Sequence, residues 1–242
     1  MDFFRDEVRN GFFIPTAVKQ AWAAQLQVLD VIETICRKHD ITYFADWGTI
    51  LGTVRHGGYV PWDDDMDICM KREDYTRFKE AAKTELPKDF RIHDYEHQED
   101  HWLFLSRVAN SVHINFEPEH MKQFHNFPYI AGIDIFVLDY LYKDEQQEKQ
   151  RCEEVKHIIA VADSIIAGEI VQPVKEANLI QLEEKYHKTF NRKLDNRHMG
   201  IELYRLAEEQ MARVPKEESD RMAQIFPWGL LGNRGQDREY YE

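Results

Sequence analysis

Four aspartates lie within five positions, immediately before an apolar segment: Asp63, Asp64, Asp65 and Asp67 run directly into Ile68-Cys69-Met70. Carboxylates packed this closely repel one another, so such a cluster is stable mainly when it is solvated or neutralised by a cation. An apolar strand that begins inside the cluster argues against full solvation. The pattern therefore predicts a divalent-metal site, because Mg²⁺ prefers oxygen ligands of this kind.

The expected strand over 65–71 selects two of these acids as metal ligands and catalytic residues. Side chains alternate across a strand, so Asp65 and Asp67 are expected on one face. A third acid, Asp134, interrupts the apolar segment 130–138, which has the composition of a central buried strand. Buried charges are usually paired or bound to a metal, so Asp134 is the expected third ligand. The alternative is a structural acid that accepts hydrogen bonds from backbone amides.

Gly48 and Thr49 come shortly before the acids, where a strand over 41–45 is expected to meet a helix over 48–55. A glycine at such a junction lets the backbone approach a ligand, and a helix N-terminus offers free amides to a phosphate. The alternative is that Gly48 and Thr49 form an ordinary turn and helix cap, which use the same residue types. Arg55 either binds a diphosphate or is an ordinary surface arginine at the end of a helix. Trp62 either stacks on the substrate or braces the acid loop.

The hydrophobic periodicity and the turn residues of the sequence predict the helices and strands that position these residues. Thr16 is the expected N-cap of a long helix to about Cys36, and residues 1–15 are expected to form an irregular arm. Further helices are expected at 48–55, 72–85, 143–168, 174–192 and 199–213, and strands at 41–45, 65–71, 90–95, 102–108, 112–116 and 130–138, with a loop from Phe226 onward. The pattern predicts an α+β fold with a mixed sheet flanked by helices and a helical C-terminal half. The expected domains are 1–140 and 141–242.

Composition excludes several classes of protein. A formal net charge of −13 argues against binding to nucleic acid polymers, which requires a basic face. Three separated cysteines exclude a disulfide framework, and neither a signal peptide nor a membrane-spanning segment is expected. These features predict a reducing, cytoplasmic location.

Residues 48–68 read GTILGTVRHGGYVPWDDDMDI, and residues 132–139 read GIDIFVLD. Both segments closely resemble signatures of the LicD family, which belongs to the nucleotidyltransferase-fold superfamily. The resemblance covers residues 15–140 well and implies a Gly-Thr turn at Gly48-Thr49, an Asp-x-Asp pair at Asp65 and Asp67, and a third acid at Asp134.

The resemblance also implies an activity. Members of the family transfer a phospho-alcohol, typically phosphocholine from CDP-choline, to a hydroxyl of a cell-surface glycan such as lipopolysaccharide or teichoic acid, and fukutin-type relatives use CDP-ribitol. The expected cofactor is Mg²⁺ or Mn²⁺, and the expected partners are a CDP-alcohol donor and a glycan acceptor, which a lipid carrier would present at the inner face of the membrane.

Three other functions share parts of this pattern. Two are enzymatic: transfer of a nucleoside monophosphate from a triphosphate, and a glycosyltransferase that uses Asp65-Met66-Asp67 to bind metal. The third is a non-catalytic metal-binding module, because Asp63, Asp65 and Asp67 open like a calcium-binding EF-hand loop. That loop requires a glycine at its sixth position, where this chain has Ile68.

Overall fold

The computed structural model describes residues 3–95, 97–98, 101, 103–224 and 236–237. The helices are α1 (Thr16–Lys38), α2 (Trp47–His56), α3 (Arg72–Glu85), α4 (Pro118–Gln123), α5 (Glu145–Ile166), α6 (Gln172–Tyr186) and α7 (Asn196–Met211), with a short 3₁₀ turn at Lys216–Glu218. The strands are β1 (Glu7–Arg9), β2 (Phe12–Ile14), β3 (Tyr43–Ala45), β4 (Asp67–Lys71), β5 (Arg91–His93), β6 (Ser106–Ala109), β7 (Gly132–Leu141), β8 (Arg221–Ala223) and β9 (Gln236–Asp237).

The chain forms two compact units. The first contains Met1–His93 and Leu105–Val137, and the second contains Asp94–Phe104 and Leu138–Glu242. Strand β7 begins in the first unit and ends in the second. The sequence-based division into 1–140 and 141–242 remains a prediction about domains.

A sheet with strand order β3-β4-β7-β6-β5 is the centre of the first unit. The pairs β3/β4, β5/β6 and β6/β7 are antiparallel. One apolar core joins α1, α3 and this sheet, and it includes Val28, Ile32, Phe78, Ile68 and Ile133. Val28 and Ile32 are four residues apart on α1, so they lie on the same face of the helix and can both pack on the sheet.

The second unit is mainly helical. Helices α5, α6 and α7 share a core that includes Ile158, Leu179 and Leu203. The end of β7 pairs antiparallel with β8, and β8 pairs with β9. Among the described residues, no helix combines the length and apolar character needed to cross a bilayer.

The predicted α+β class is confirmed, and so are the long N-terminal helix, the helix over 72–85 and the three helices of the second unit. Residues 1–15 were wrongly expected to be an irregular arm, because β1 and β2 pair as a hairpin. The signal for it is Asn10-Gly11, where both residues have positive φ (51° and 78°), as a tight two-residue hairpin turn requires.

Other strand predictions also differ from the structure. No strand forms at 112–116, where the chain leads into α4 instead. Strand β4 begins at Asp67, so Asp65 lies in the loop before it. The strand expected over 102–108 begins only at Ser106, because residues 103–105 form a bend, and Trp102 lies outside the described residues. Residues 226–235 of the expected C-terminal loop also lie outside the described residues, while 236–237 form β9.

Candidate functional site

The site begins where β3 meets α2. Asp46 is the N-cap of α2, and its Oδ1 accepts a hydrogen bond from the Trp47 amide at 2.9 Å. The Asp46 amide donates to the carbonyl oxygen of Asp67 at 3.0 Å. The N-cap of α2 therefore lies beside the first residue of β4.

Gly48 and Thr49 both contact the acidic segment. The hydroxyl of Thr49 accepts a hydrogen bond from the Asp67 amide at 2.9 Å. A Cβ on Gly48 would lie 2.1 Å from Oδ2 of Asp63, so only glycine leaves room for that carboxylate. Thr49 thus joins α2 to β4, and Gly48 admits Asp63 to the helix N-terminus, which favours negative charge.

Helix α1 holds the backbone of the acid loop. The indole Nε1 of Trp22 donates to the carbonyl oxygen of Asp63 at 2.9 Å, and Nε2 of Gln25 donates to that of Asp64 at 2.8 Å. The Tyr59 hydroxyl donates to Oε1 of Gln25 at 3.0 Å, and its ring stacks on Trp22 with centroids 4.7 Å apart. Sequence analysis missed this support, although a glutamine on the buried face of α1 was a signal.

The carboxylates of this loop lie close together. Ligand atoms of Asp63, Asp64 and Asp65 all lie within 4.8 Å of one another. Burial raises the pKa of Asp65, and the hydrogen bond and charge of Asp63 raise it further. Burial also raises the pKa of Asp67 to about 7, with added repulsion from Asp65, Asp134, Asp46 and Asp63. The site therefore concentrates negative charge that the protein only partly compensates.

Asp134 is paired with an arginine. Its two carboxylate oxygens accept hydrogen bonds from Nε and Nη2 of Arg107 at 2.5 and 2.7 Å. The two residues lie directly opposite each other on β7 and β6, and the stem of Arg107 passes over Gly132. The bond to Asp134 raises the pKa of Arg107. Sequence analysis missed Arg107, because only strand pairing brings it to the acid.

Arg55 and Trp62 lie together at the end of α2. The Arg55 guanidinium is 5.7 Å from the centroid of the Trp62 ring, and its Nε donates to Nε2 of His56 at 2.9 Å. Trp62 is 57% exposed and makes edge contacts with His56 and Phe12. The exposed ring is available for stacking, whereas Trp22 braces the acid loop. His56 was not identified from the sequence.

These acids fit a hard divalent cation. Their oxygens match the ligand preference of Mg²⁺, and burial, together with the neighbouring like charges, raises the pKa of Asp67. The three close acids are Asp63, Asp64 and Asp65. The charge of Asp134 helps to raise the pKa of Asp65, and the charges of Asp65 and Asp134 help to raise that of Asp67. The predicted roles of Asp65, Asp67 and Asp134 as ligands stay predictions.

The part of the chain that contains the acids is similar to known proteins. A family model described as "LicD/FKTN/FKRP, nucleotidyltransferase domain" matches residues 40–162, which is more than half of the chain. The chain is 43% identical over 53 residues to the lipopolysaccharide cholinephosphotransferase LicD of Haemophilus influenzae, covering 22% of this chain and 20% of that protein.

Two uncharacterized Rickettsia proteins also match. The identity is 39% over 54 residues for the protein of R. typhi and 42% over 48 residues for that of R. prowazekii, in each case 18% of the relative and 22% or 20% of this chain. The alignments thus span about a fifth of the length of these curated relatives.

Proposed function

The chain belongs to the LicD/FKTN/FKRP family of nucleotidyltransferase domains, and we propose that it transfers a phospho-alcohol from a CDP-activated donor to a hydroxyl group of a glycan, releasing CMP. Phosphocholine is the proposed group, because the named relative is a cholinephosphotransferase that acts on lipopolysaccharide. The observation that carries the proposal is the cluster of carboxylates beside the N-terminus of α2, inside the segment that matches the family.

Asp65 and Asp67 would hold Mg²⁺ or Mn²⁺, with Asp63, Asp64 and Asp134 as the acids near enough to share it. Bound there, the cation would neutralise the diphosphate and the departing CMP, as metal ions do in phosphoryl transfer.

The side chains around the acids have separate proposed roles. Gly48 and Thr49 place the N-terminus of α2 against the acids, so its amides can receive phosphate oxygens. Arg55 would contact the diphosphate, and Trp62 would stack on the base or the alcohol.

Asp134 is the proposed base for the acceptor hydroxyl. Arg107 donates one hydrogen bond to each carboxylate oxygen of Asp134. A carboxylate has about four acceptor sites, so Asp134 can still accept the proton of the hydroxyl. Arg107 would hold this carboxylate in place during the transfer. The acceptor would be a cell-surface glycan or its lipid-linked precursor, met in the cytoplasm at the inner face of the membrane.

The first test is ligand-dependent thermal stabilisation in Mg²⁺, followed by measurement of CMP release. CDP-choline, CDP-ribitol, CTP and UDP-glucose are compared on wild type and on the double variant Asp65→Ala/Asp67→Ala, with Asp30→Ala as a control acid outside the site. Stabilisation by one CDP-alcohol that the double variant loses and the control keeps supports the proposal and identifies the donor.

The other outcomes point elsewhere. An equal response to CTP, with pyrophosphate as product, indicates nucleotidyl transfer. A preference for UDP-glucose indicates a glycosyltransferase. A response to Mg²⁺ alone, with no nucleotide effect, indicates a metal-binding module and refutes the proposal.

A further inference from the structure

The N-terminal hairpin is fastened to α1 by polar contacts. Oδ1 of Asp6 accepts hydrogen bonds from the amide and the hydroxyl of Thr16, at 2.6 and 2.9 Å. Nζ of Lys19, whose side chain is only 3% exposed, donates to Oε2 of Glu7 at 2.7 Å. A partly buried ion pair of this kind resists separation more than a fully solvated one. The base of the hairpin is therefore held in place.

The tip of the hairpin reaches the end of α2. The side-chain nitrogen Nδ2 of Asn10 lies 3.0 Å from Nδ1 of His56. The ring of Phe12 makes an edge contact with Trp62, at 6.2 Å between centroids. On its other side, Nε2 of His56 accepts the hydrogen bond from Arg55. The contacts thus form a chain from Asn10 through His56 to Arg55.

The chemistry of these groups determines the direction of each bond. Arginine has only donors, so Nε2 of His56 must carry the lone pair. A neutral imidazole has one N–H, which must then be on Nδ1. Nδ2 of Asn10 is also a donor, so Asn10 must instead present its carbonyl oxygen to Nδ1–H. A half-turn of the side-chain amide exchanges the two atoms, whose positions are assigned from the hydrogen bonds they make.

We propose that the hairpin is a positioning element for the donor site, in which Asn10 selects the Nδ1–H form of His56 and His56 thereby orients Arg55. This inference rests on the proposed function, because it takes Arg55 to be a contact of the donor diphosphate. Without Asn10, His56 can adopt the other neutral form, whose Nε2–H would face a donor of Arg55 and could not accept its hydrogen bond.

The test compares substitutions at the hairpin tip. Asn10→Gly removes the amide and keeps a residue suited to positive φ, so the turn is preserved. Asn10→Asp keeps an oxygen acceptor and also tolerates this backbone conformation. Phe13→Ala is the control on the same hairpin, since Phe13 is an exposed side chain.

Binding of CDP in Mg²⁺ is the first readout, measured by calorimetry at roughly pH 8, above the usual pKa of histidine. We expect Arg55→Ala to weaken binding by about tenfold or more, and Asn10→Gly by about fivefold. Asn10→Asp and Phe13→Ala should bind like wild type. In the Arg55→Ala background, Asn10→Gly should have no further effect, because both changes act through one contact. Equal affinity of Asn10→Gly and wild type, or additive losses, would overturn the proposal.

The second readout does not depend on the proposed function. Nuclear magnetic resonance of the His56 ring nitrogens, in isotope-labelled protein, shows which nitrogen carries the proton. The proposal requires Nδ1–H in wild type and in Asn10→Asp, and a shift toward Nε2–H in Asn10→Gly. Nε2–H in wild type would refute it. If wild type fails to bind CDP while the ring forms behave as expected, the proposed donor is wrong and the network is still supported.

Discussion

Replacing Asp67 by asparagine should stabilise the metal-free protein. An unfolded aspartate has a pKa near 3.9, while burial and the neighbouring carboxylates raise that of Asp67 to about 7. At about 1.4 kcal/mol per tenfold change in proton affinity, ionising Asp67 costs the folded state roughly 4 kcal/mol. Asparagine is close in shape and cannot ionise, so the variant avoids this cost.

The pH dependence has a definite sign. Because the folded-state pKa is raised, the folded protein binds more protons than the unfolded chain between about pH 4 and pH 7. The contribution of Asp67 to stability therefore falls as pH rises through this window, and the full cost is present above about pH 7. The advantage of Asp67→Asn over wild type should be small near pH 4 and grow to roughly 4 kcal/mol near pH 8.

Urea unfolding in EDTA at several pH values measures this difference. Asp30→Asn is the matched control, because it also replaces a single aspartate by asparagine but at an exposed position on α1 outside the acid loop. Adding Mg²⁺ near pH 8 should stabilise wild type and have much less effect on Asp67→Asn, because the variant has lost a proposed ligand. A variant no more stable than wild type near pH 8 in EDTA would refute the reasoning.

Three further predictions concern residues on α2 and β6. Gly52→Ala puts a Cβ 2.4 Å from a backbone carbonyl oxygen, so urea unfolding should show a loss of roughly 1–3 kcal/mol, and an unchanged midpoint would contradict this packing. Thr49→Val removes the acceptor of the Asp67 amide and should cost about 1–2 kcal/mol in the same assay, most of which Thr49→Ser should recover. Arg107→Gln removes a positive charge near Asp67 and Asp134, so the pKa of Asp67 should rise further. In a pH series of unfolding free energies, the pH midpoint of the Asp67 titration should therefore be higher in Arg107→Gln than in wild type. Arg107→Lys, which keeps the positive charge, should move that midpoint less.

Much of the fold is local in origin, and the sequence was sufficient to predict it. The amphipathic spacing of α1 and the composition of α5 define those helices without reference to other parts of the chain. Gly48 and Thr49 lie only a short distance before the acid run 63–67 in the chain, so their proximity was also predictable. The hairpin was predictable as well, since Asn10-Gly11 is a strong turn signal.

Only the tertiary structure decided how the acids are supported and compensated. Arg107 meets Asp134 because β6 pairs with β7 in one register, and a shift by one residue would place the side chain on the opposite face. Trp22 and Gln25 reach the acid loop because α1 packs beside it, across about forty residues of sequence. Periodicity identifies the buried face of a helix but not the group it meets there. The sequence therefore determined which residues could do the chemistry, and long-range packing decided which neighbours hold them, because strand register and helix docking depend on contacts that no local pattern contains.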